Sequence, residues 1–389
     1  MTAEEESETG RPLRVLHCAA GNLFGGVETL LRTLAETRAL CPGVEPEFAL
    51  CFGGRLEAEL QAVGGRVNRL GEVRFSRPWT VWRARRRLAR LLAERRTDVV
   101  VGHGCWAHLL CAPTARRTGR GVVFWMHDRI SGAHWVERRA ARVRPDLVLA
   151  NSHGTAATLP ALFPGMSPEV LRYPVRAPAA IGPGDRATAR AELGAGPDDV
   201  VIVMASRLEP WKGHALLIAA LGHLHDTPGW VAWIAGGPQR PHERTYLENL
   251  QADARTAQVG DRVRFLGDRR DVPRLLVAAD IHCQPNLGPE PFGIAFIEAL
   301  HAGLPVVSTR MGGAAEIVTE ACGVLVPPGA PDALAGALAA LIADPGRRAR
   351  LGAAGPARAA ALCDPAQVLA RLDSLLRTVV TPRLSPGGA

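Results

Sequence analysis

Short runs of branched and aromatic apolar residues alternate with helix-length segments from one end of the chain to the other. Strands are expected at residues 13–17, 47–51, 66–70, 98–102, 122–126 and 146–150, and again at 200–205, 230–235, 262–266, 280–284, 305–308 and 323–326. Runs that are apolar on both faces and separated by helices predict parallel sheets covered on both sides, an α/β doubly wound architecture. The pattern breaks once, in the Pro- and Gly-rich stretch 174–183, which reads as a hinge. The expected organisation is two Rossmann-like domains, 11–175 and 176–363, with a cleft between them. A disordered acidic tail is expected at 1–10, and an amphipathic helix at 364–380 could cross back to the first domain.

A chain of 389 residues, 47% apolar, is long enough for two such cores. No apolar run reaches the length of a membrane span, and residues 1–10 lack the apolar core of a signal peptide, so a cytoplasmic location is expected. Eight cysteines without a Cys-x-x-Cys pair read as reduced, buried thiols. Charge changes the picture more. Residues 1–180 hold 26 arginines against 17 acids, whereas the remainder holds 20 basic residues against 21 acids. The densest part, residues 74–96, sets arginines around Trp79, Trp82, Leu88, Leu91 and Leu92. It reads either as a solvated helix or as an amphipathic one resting on an anionic membrane surface, a peripheral seat on the inner face. No nucleic-acid motif accompanies the charge.

In doubly wound sheets ligands sit beyond the carboxyl ends of the strands, and the unusual residues of this chain gather there. Lys212 is the only lysine. A lysine kept where every other base is arginine suggests a compact cation among phosphate oxygens, although a surface survivor would look the same. With Arg207 it lies on a stretch running from a strand end into a helix start, where the helix dipole adds to anion attraction. Further on, Glu298 is the only carboxylate of the apolar segment 295–302. A buried carboxylate needs donors, which ribose hydroxyls, a backbone amide or an arginine would supply. Glu290 precedes that helix in a Pro- and Gly-bounded loop, next to amides of Gly293 and Ile294 placed to receive an oxyanion. In the first half His103, Gly104, Trp106, His127, Asp128, Asn151 and Ser152 follow strands, as do Gly25 and Gly26 after the first.

Arg207 with Lys212, Glu290-Pro-Phe-Gly-x4-Glu298, the following Ala299-Leu300-x-Ala302-Gly303-x-Pro305-Val306-Val307, and Gly312-Gly313-x2-Glu316-Ile317-Val318 together resemble the retaining family 4 glycosyltransferases of GT-B fold. The likeness is close over the second half and looser over the first, through Gly25-Gly26, His127-Asp128 and Asn151-Ser152. It implies that Arg207 and Lys212 hold the donor diphosphate, Glu298 the ribose and Glu290 the sugar hydroxyls. Phe292, Gly293 and Ile294 would touch sugar and phosphate through main-chain atoms, and the base would lie near 264–267, at Gly267. Gly25 and Gly26 would approach the diphosphate, and His127 the reacting sugar. His103, Trp106 and Asp128 are candidates for the acceptor side, with Trp125, Trp135 and His134 as a stacking surface; an aspartate after a strand is also often a helix cap.

The implied reaction moves a glycosyl group from a UDP- or GDP-linked sugar to an acceptor hydroxyl (of a glycan, glycolipid or natural product) with retention of configuration. The nucleotide-sugar is a co-substrate, so no cofactor is expected, and without an Asp-x-Asp motif no metal is expected either. A pseudo-glycosyltransferase or a non-catalytic nucleotide-sugar binder would keep the same nucleotide contacts. A phosphorylase-like enzyme would need a second lysine for its pyridoxal phosphate, and a dehydrogenase the Gly-x-Gly-x-x-Gly spacing that residues 21–26 lack.

Overall fold

The computed structural model describes residues 11–22, 25–178 and 182–380. The expected acidic tail, Leu23 and Phe24 of the first strand-end loop, and the middle of the expected hinge lie outside the described residues. The chain forms two compact units, one of residues up to Pro174 together with the chain from Asp364 on, the other Val175–Cys363.

The first unit is built on a seven-stranded parallel sheet: β1 (Leu13–Ala19), β2 (Val44–Leu50), β3 (Arg66–Arg69), β4 (Val99–His103), β5 (Gly121–Met126), β6 (Leu147–Ala150) and β7 (Glu169–Val170). Their order is β3-β2-β1-β4-β5-β6-β7, so β1 and β4, far apart in sequence, are neighbours. Every expected strand of this half forms, and β7 is an addition too short to have left an apolar run. The helix Pro78–Glu94 buries Ala84, Leu88, Leu91 and Leu92 against the core, at the i, i+4, i+7, i+8 spacing of one helical face. The helix Pro365–Val380 does the same with Val368, Leu369, Leu372, Leu375 and Leu376, lying against β4, β5 and the turn Arg38–Leu40. Each such leucine contributes about 1.5–3 kcal/mol on burial.

The second unit carries a six-stranded parallel sheet, β8 (Val200–Ala205), β9 (Trp230–Ala235), β10 (Val263–Gly267), β11 (Ile281–Gln284), β12 (Val306–Thr309) and β13 (Gly323–Val326), in the order β10-β9-β8-β11-β12-β13. At the amino ends of its central strands, Asp280 accepts from the Val201 amide and from Arg190 and Arg186, fastening the helix Pro183–Glu192 to the sheet. That end is held together by these ion pairs. The carboxyl ends of β8, β9, β10 and β11 lead instead into loops rich in glycine and polar side chains, and there the site is built.

Candidate functional site

Beyond β8 the chain makes a single 3-10 turn, Pro210–Lys212, and then enters the helix His214–Gly222 through Gly213. Gly213 has φ +85°, and a Cβ on it would lie 1.9 Å from the Pro285 carbonyl oxygen, so only glycine lets this turn seat on the loop after β11. The Leu287 amide donates to the Trp211 carbonyl at 2.7 Å and joins the two loops. Lys212 is thereby buried, its Nζ 2.5 Å from Glu290 Oε2 and 4.1 Å from the centre of the Trp211 ring. The same carboxylate oxygen accepts from Gln284 Nε2 at 3.2 Å and Asn286 Nδ2 at 3.4 Å. Gln284 also donates to Asn286 Oδ1, and both amides are buried. A buried ion pair is tolerable only with such added hydrogen bonds, and removing one partner leaves a charge uncompensated at a cost of about 3–5 kcal/mol.

Glu290 is held from the other side by backbone. The Gly313 amide donates to its carbonyl at 2.7 Å, and a Cβ on Gly313 would stand 1.7 Å from the Phe292 carbonyl oxygen. Phe292 is buried, and Gly293, at φ +103°, turns the loop into the helix Ile294–His301, whose first amides have no intrahelical acceptor. Glu298 lies one turn along, on the same face as Ile294. It is half-buried, and its carboxylate has no hydrogen-bond or ion-pair partner among the described residues; burial pushes its carboxyl up to about 7. Of the acids that sequence singles out, one has an oxygen shared by three donors and the other is open among the described residues.

Arg207, expected to face an anion beside Lys212, is on the same loop with its guanidinium 3.1 Å from Glu209. His214 is buried with Nε2 3.2 Å from Ser206 Oγ; burial, with the Lys212 charge nearby, lowers it to about 4, so the ring is neutral. Gly267 closes β10 at φ +68°, with its carbonyl accepting from the Gly236 amide and open space where a side chain would stand. Gln284 and Asn286, which hold the Glu290 carboxylate, are the members of this cluster that sequence reasoning missed. Two amides at the end of an apolar strand, flanking Pro285, were the available signal.

At the carboxyl ends of the first unit's strands the arrangement is different. His17 of β1, His103 of β4 and His127 after β5 form a row: His17 Nδ1 lies 2.9 Å from His103 Nε2, and His103 Nδ1 2.8 Å from His127 Nε2. His127 Nδ1 meets the Tyr173 hydroxyl at 2.6 Å, and Asn151 Nδ2 donates both to that hydroxyl and to the His127 carbonyl. Burial lowers His17 and His127 to about 3 and His103 well below the usual histidine range. His103, expected on the acceptor side, is thus an enclosed residue with both nitrogens engaged.

Other expectations for this unit need correction. Trp125 is fully buried in β5 and offers no stacking surface, while Trp106 stays half-exposed between Phe52 and Phe75 and Trp135 is exposed. Asp128 is no helix cap: it accepts from the adjacent Arg129 amide, and the next helix, Trp135–Ala140, is capped by His134. Gly25 is extended and precedes the helix Gly26–Glu36. On the basic helix the leucines face the core, so Trp79 and Trp82, with Arg83, Arg86 and Arg90, make up the exposed stripe. Arg86 lies over the Trp82 ring at 4.7 Å. Arg85 is structural, donating to the Leu109 and Leu110 carbonyls, the former left without its helical donor by Pro113; Arg87 donates to the Leu70 carbonyl. Among the described residues no helix is long and apolar enough to cross a membrane, and no group of three or more His, Cys, Asp or Glu side chains is placed to hold a metal.

Residues 185–358 match the family model described as Glycosyl transferases group 1, and residues 24–173 that of Glycosyltransferase Family 4. A Mycolicibacterium smegmatis protein, GDP-mannose-dependent alpha-(1-6)-phosphatidylinositol monomannoside mannosyltransferase, is 33% identical over 300 residues, 69% of this chain and 73% of that one. A D-inositol 3-phosphate glycosyltransferase of Segniliparus rotundus is 33% identical over 181 residues, 46% of this chain and 40% of its own. Among solved structures, Anabaena HepE in complex with UDP and glucose shares the fold with a TM-score of 0.84 at 24% identity, over 94% of this chain and 100% of that one.

Proposed function

The chain belongs to the family 4 glycosyltransferases of GT-B fold, and from that premise we propose that it transfers a sugar from a nucleoside-diphosphate-sugar to an acceptor hydroxyl with retention of configuration and without a metal. The observation that carries this reading is the Lys212–Glu290 pair together with the open Glu298 on the helix that the Glu290 loop begins. In the transfer the bond from the anomeric carbon to the diphosphate breaks, the acceptor oxygen bonds to that carbon on the same face, and its proton passes to a diphosphate oxygen. Negative charge grows on the leaving diphosphate, and Lys212, with Arg207 turned from Glu209, stabilises it more than in the ground state. Glu290 is fixed by Gln284 and Asn286 to meet sugar hydroxyls. Glu298 has the unfilled acceptor valences that ribose hydroxyls fill.

The donor is UDP- or GDP-linked, in keeping with the GDP-mannose of one relative's name and the UDP of the HepE complex. The acceptor is a polyhydroxylated one of the phosphatidylinositol or inositol phosphate kind that the relatives' names carry. The exposed Trp79, Trp82, Arg83, Arg86 and Arg90 stripe suits an anionic bilayer, each arginine near the surface contributing about 1 kcal/mol. Calorimetry with UDP, GDP and ADP, followed by mass spectrometry of reactions with the matching nucleotide-sugars in EDTA, tests the reading. Activity that EDTA abolishes and magnesium restores would overturn the metal-free mechanism. Sedimentation with acidic vesicles should be strong at low salt and should collapse in the Arg83→Gln, Arg86→Gln, Arg90→Gln variant; equal binding to neutral vesicles would remove the membrane seat.

A further inference from the structure

The histidine row obeys a rule that fixes its chemistry. A neutral imidazole has one N–H and one bare nitrogen, so three rings joined nitrogen to nitrogen at 2.8–2.9 Å must all donate in the same direction. The direction is set at the Tyr173 end. There the Asn151 amide donates to the phenol oxygen, and the phenol, a stronger acid than a neutral imidazole N–H, is assigned as the donor in the 2.6 Å contact with His127 Nδ1. His127 is then the Nε2–H tautomer, donating to His103 Nδ1, and His103 donates from Nε2 to His17 Nδ1. A proton added to His103 would set N–H against N–H across its contact with His127, and one added to His127 would set its Nδ1–H against the phenol O–H, which reinforces the effect of burial on the same residues.

We propose that His103 and His17 are positioning residues for His127: with Tyr173 they lock its ring as the neutral Nε2–H tautomer and occupy both nitrogens, so His127 neither accepts nor supplies a proton in the transfer. The ring is a fixed element at the strand ends of the first unit, and in the proposed transfer the acceptor proton leaves by the diphosphate. The role in the transfer and the kinetic readout rest on the transferase reading; the tautomer assignment does not.

The experiment is long-range proton–nitrogen correlation NMR on protein labelled with 15N-histidine, with His103→Leu and His103→Gln beside the intact chain. Glutamine offers an acceptor toward His127 and a donor toward His17, whereas leucine offers neither. The intact protein should show the neutral Nε2–H pattern at His127 and His103 from about pH 7 down to about pH 5, below the ordinary histidine range. His103→Leu should lose that pattern at His127 and lower kcat about tenfold, the lower end of what lost orienting partners cost, with little change in KM; His103→Gln should restore both. An Nδ1–H or cationic His127 in the intact protein overturns the inference, as does a folded His103→Leu variant with unaltered tautomer and kcat. If the leucine variant does not fold, the intact and glutamine proteins still decide it. Should no nucleotide-sugar be turned over at all, the transferase reading fails while the tautomer assignment stands or falls on the spectra.

Discussion

The two sets of strand ends differ in what they leave unfinished. In the second unit charged groups stand among the polar ones, and their valences are partly open: Glu298 has no partner among the described residues, and Lys212 and Arg207 each rest on a carboxylate that a phosphate would replace in the proposed transfer. In the first unit three histidines held neutral by burial, His17, His103 and His127, are hydrogen-bonded in a row that continues to Tyr173 and Asn151. Open charged valences are suited to capture and to stabilising a changing charge, whereas a closed neutral row can only hold shape. The contrast separates binding chemistry from geometry within one kind of sheet.

The largest effect should come from Lys212. Lys212→Ala removes a cation from a site of growing charge and should lower turnover on the order of 10²–10³-fold. It should also lower stability by about 3–5 kcal/mol, because Glu290 stays buried without its cation. Adding Glu290→Gln should recover stability in a denaturant titration and leave turnover low. Recovery of turnover as well would mean that Lys212 serves the fold alone. Lys212→Arg should also lose most activity, since the planar fork does not fit where a compact ammonium sits.

Glu298 sharpens the comparison through pH. Its folded pKa, about 7, lies above the unfolded value near 4.5, so the folded state binds the extra proton between those limits. Its contribution to stability is therefore full at low pH and fades as pH rises toward 7, by at most about 3 kcal/mol. The difference between the intact chain and Glu298→Gln across that window measures it. Ribose hydroxyls donating to the carboxylate should pull the pKa down, so nucleoside diphosphate binding should release protons near pH 6.5, seen by calorimetry in buffers of different ionisation enthalpy. Glu298→Gln should abolish the release and weaken binding; proton release that persists in this variant would take the ribose away from Glu298.

The smallest effect tests the closed row. Asn151→Leu strips donors from Tyr173 and from the His127 carbonyl and should cost about 1–3 kcal/mol of stability. Nucleoside diphosphate affinity should not move. An affinity loss comparable with that of Glu298→Gln would blur the distinction between the two regions.

Much of this was legible in the sequence where a residue was out of place among its neighbours. A lone lysine, a carboxylate in an apolar helix and the glycines around Glu290 each stood out, and the alternation of apolar runs gave all the longer strands. What escaped depends on strand order. His103 and His127 were visible as residues after strands, but their bonding to each other and to His17 follows from β1, β4 and β5 lying side by side, which sequence order conceals. Gln284 and Asn286 escaped because amides carry no charge to attract attention. Arg85 read as surface charge because its partners are main-chain carbonyls, one of them freed by a proline 28 positions away in the next helix. The helix Pro78–Glu94 could have been resolved further. Ala84, Leu88, Leu91 and Leu92 already mark its inner face, leaving Trp79 and Trp82 outside.

The helix Pro365–Val380 bears on how the protein comes off the ribosome. The second unit is one continuous segment, Val175–Cys363, whereas the first is closed only by residues made after it. Synthesis ordinarily lets the domain nearest the N-terminus finish first. Here a nascent chain ending at 363 holds a complete second unit and a first unit still missing Val368, Leu369, Leu372, Leu375 and Leu376, with the faces of β4 and β5 that they cover bare. Of the two units, the one that emerges first is therefore the one that matures last, and until residues 365–380 follow it exposes an apolar surface of the kind that chaperones bind.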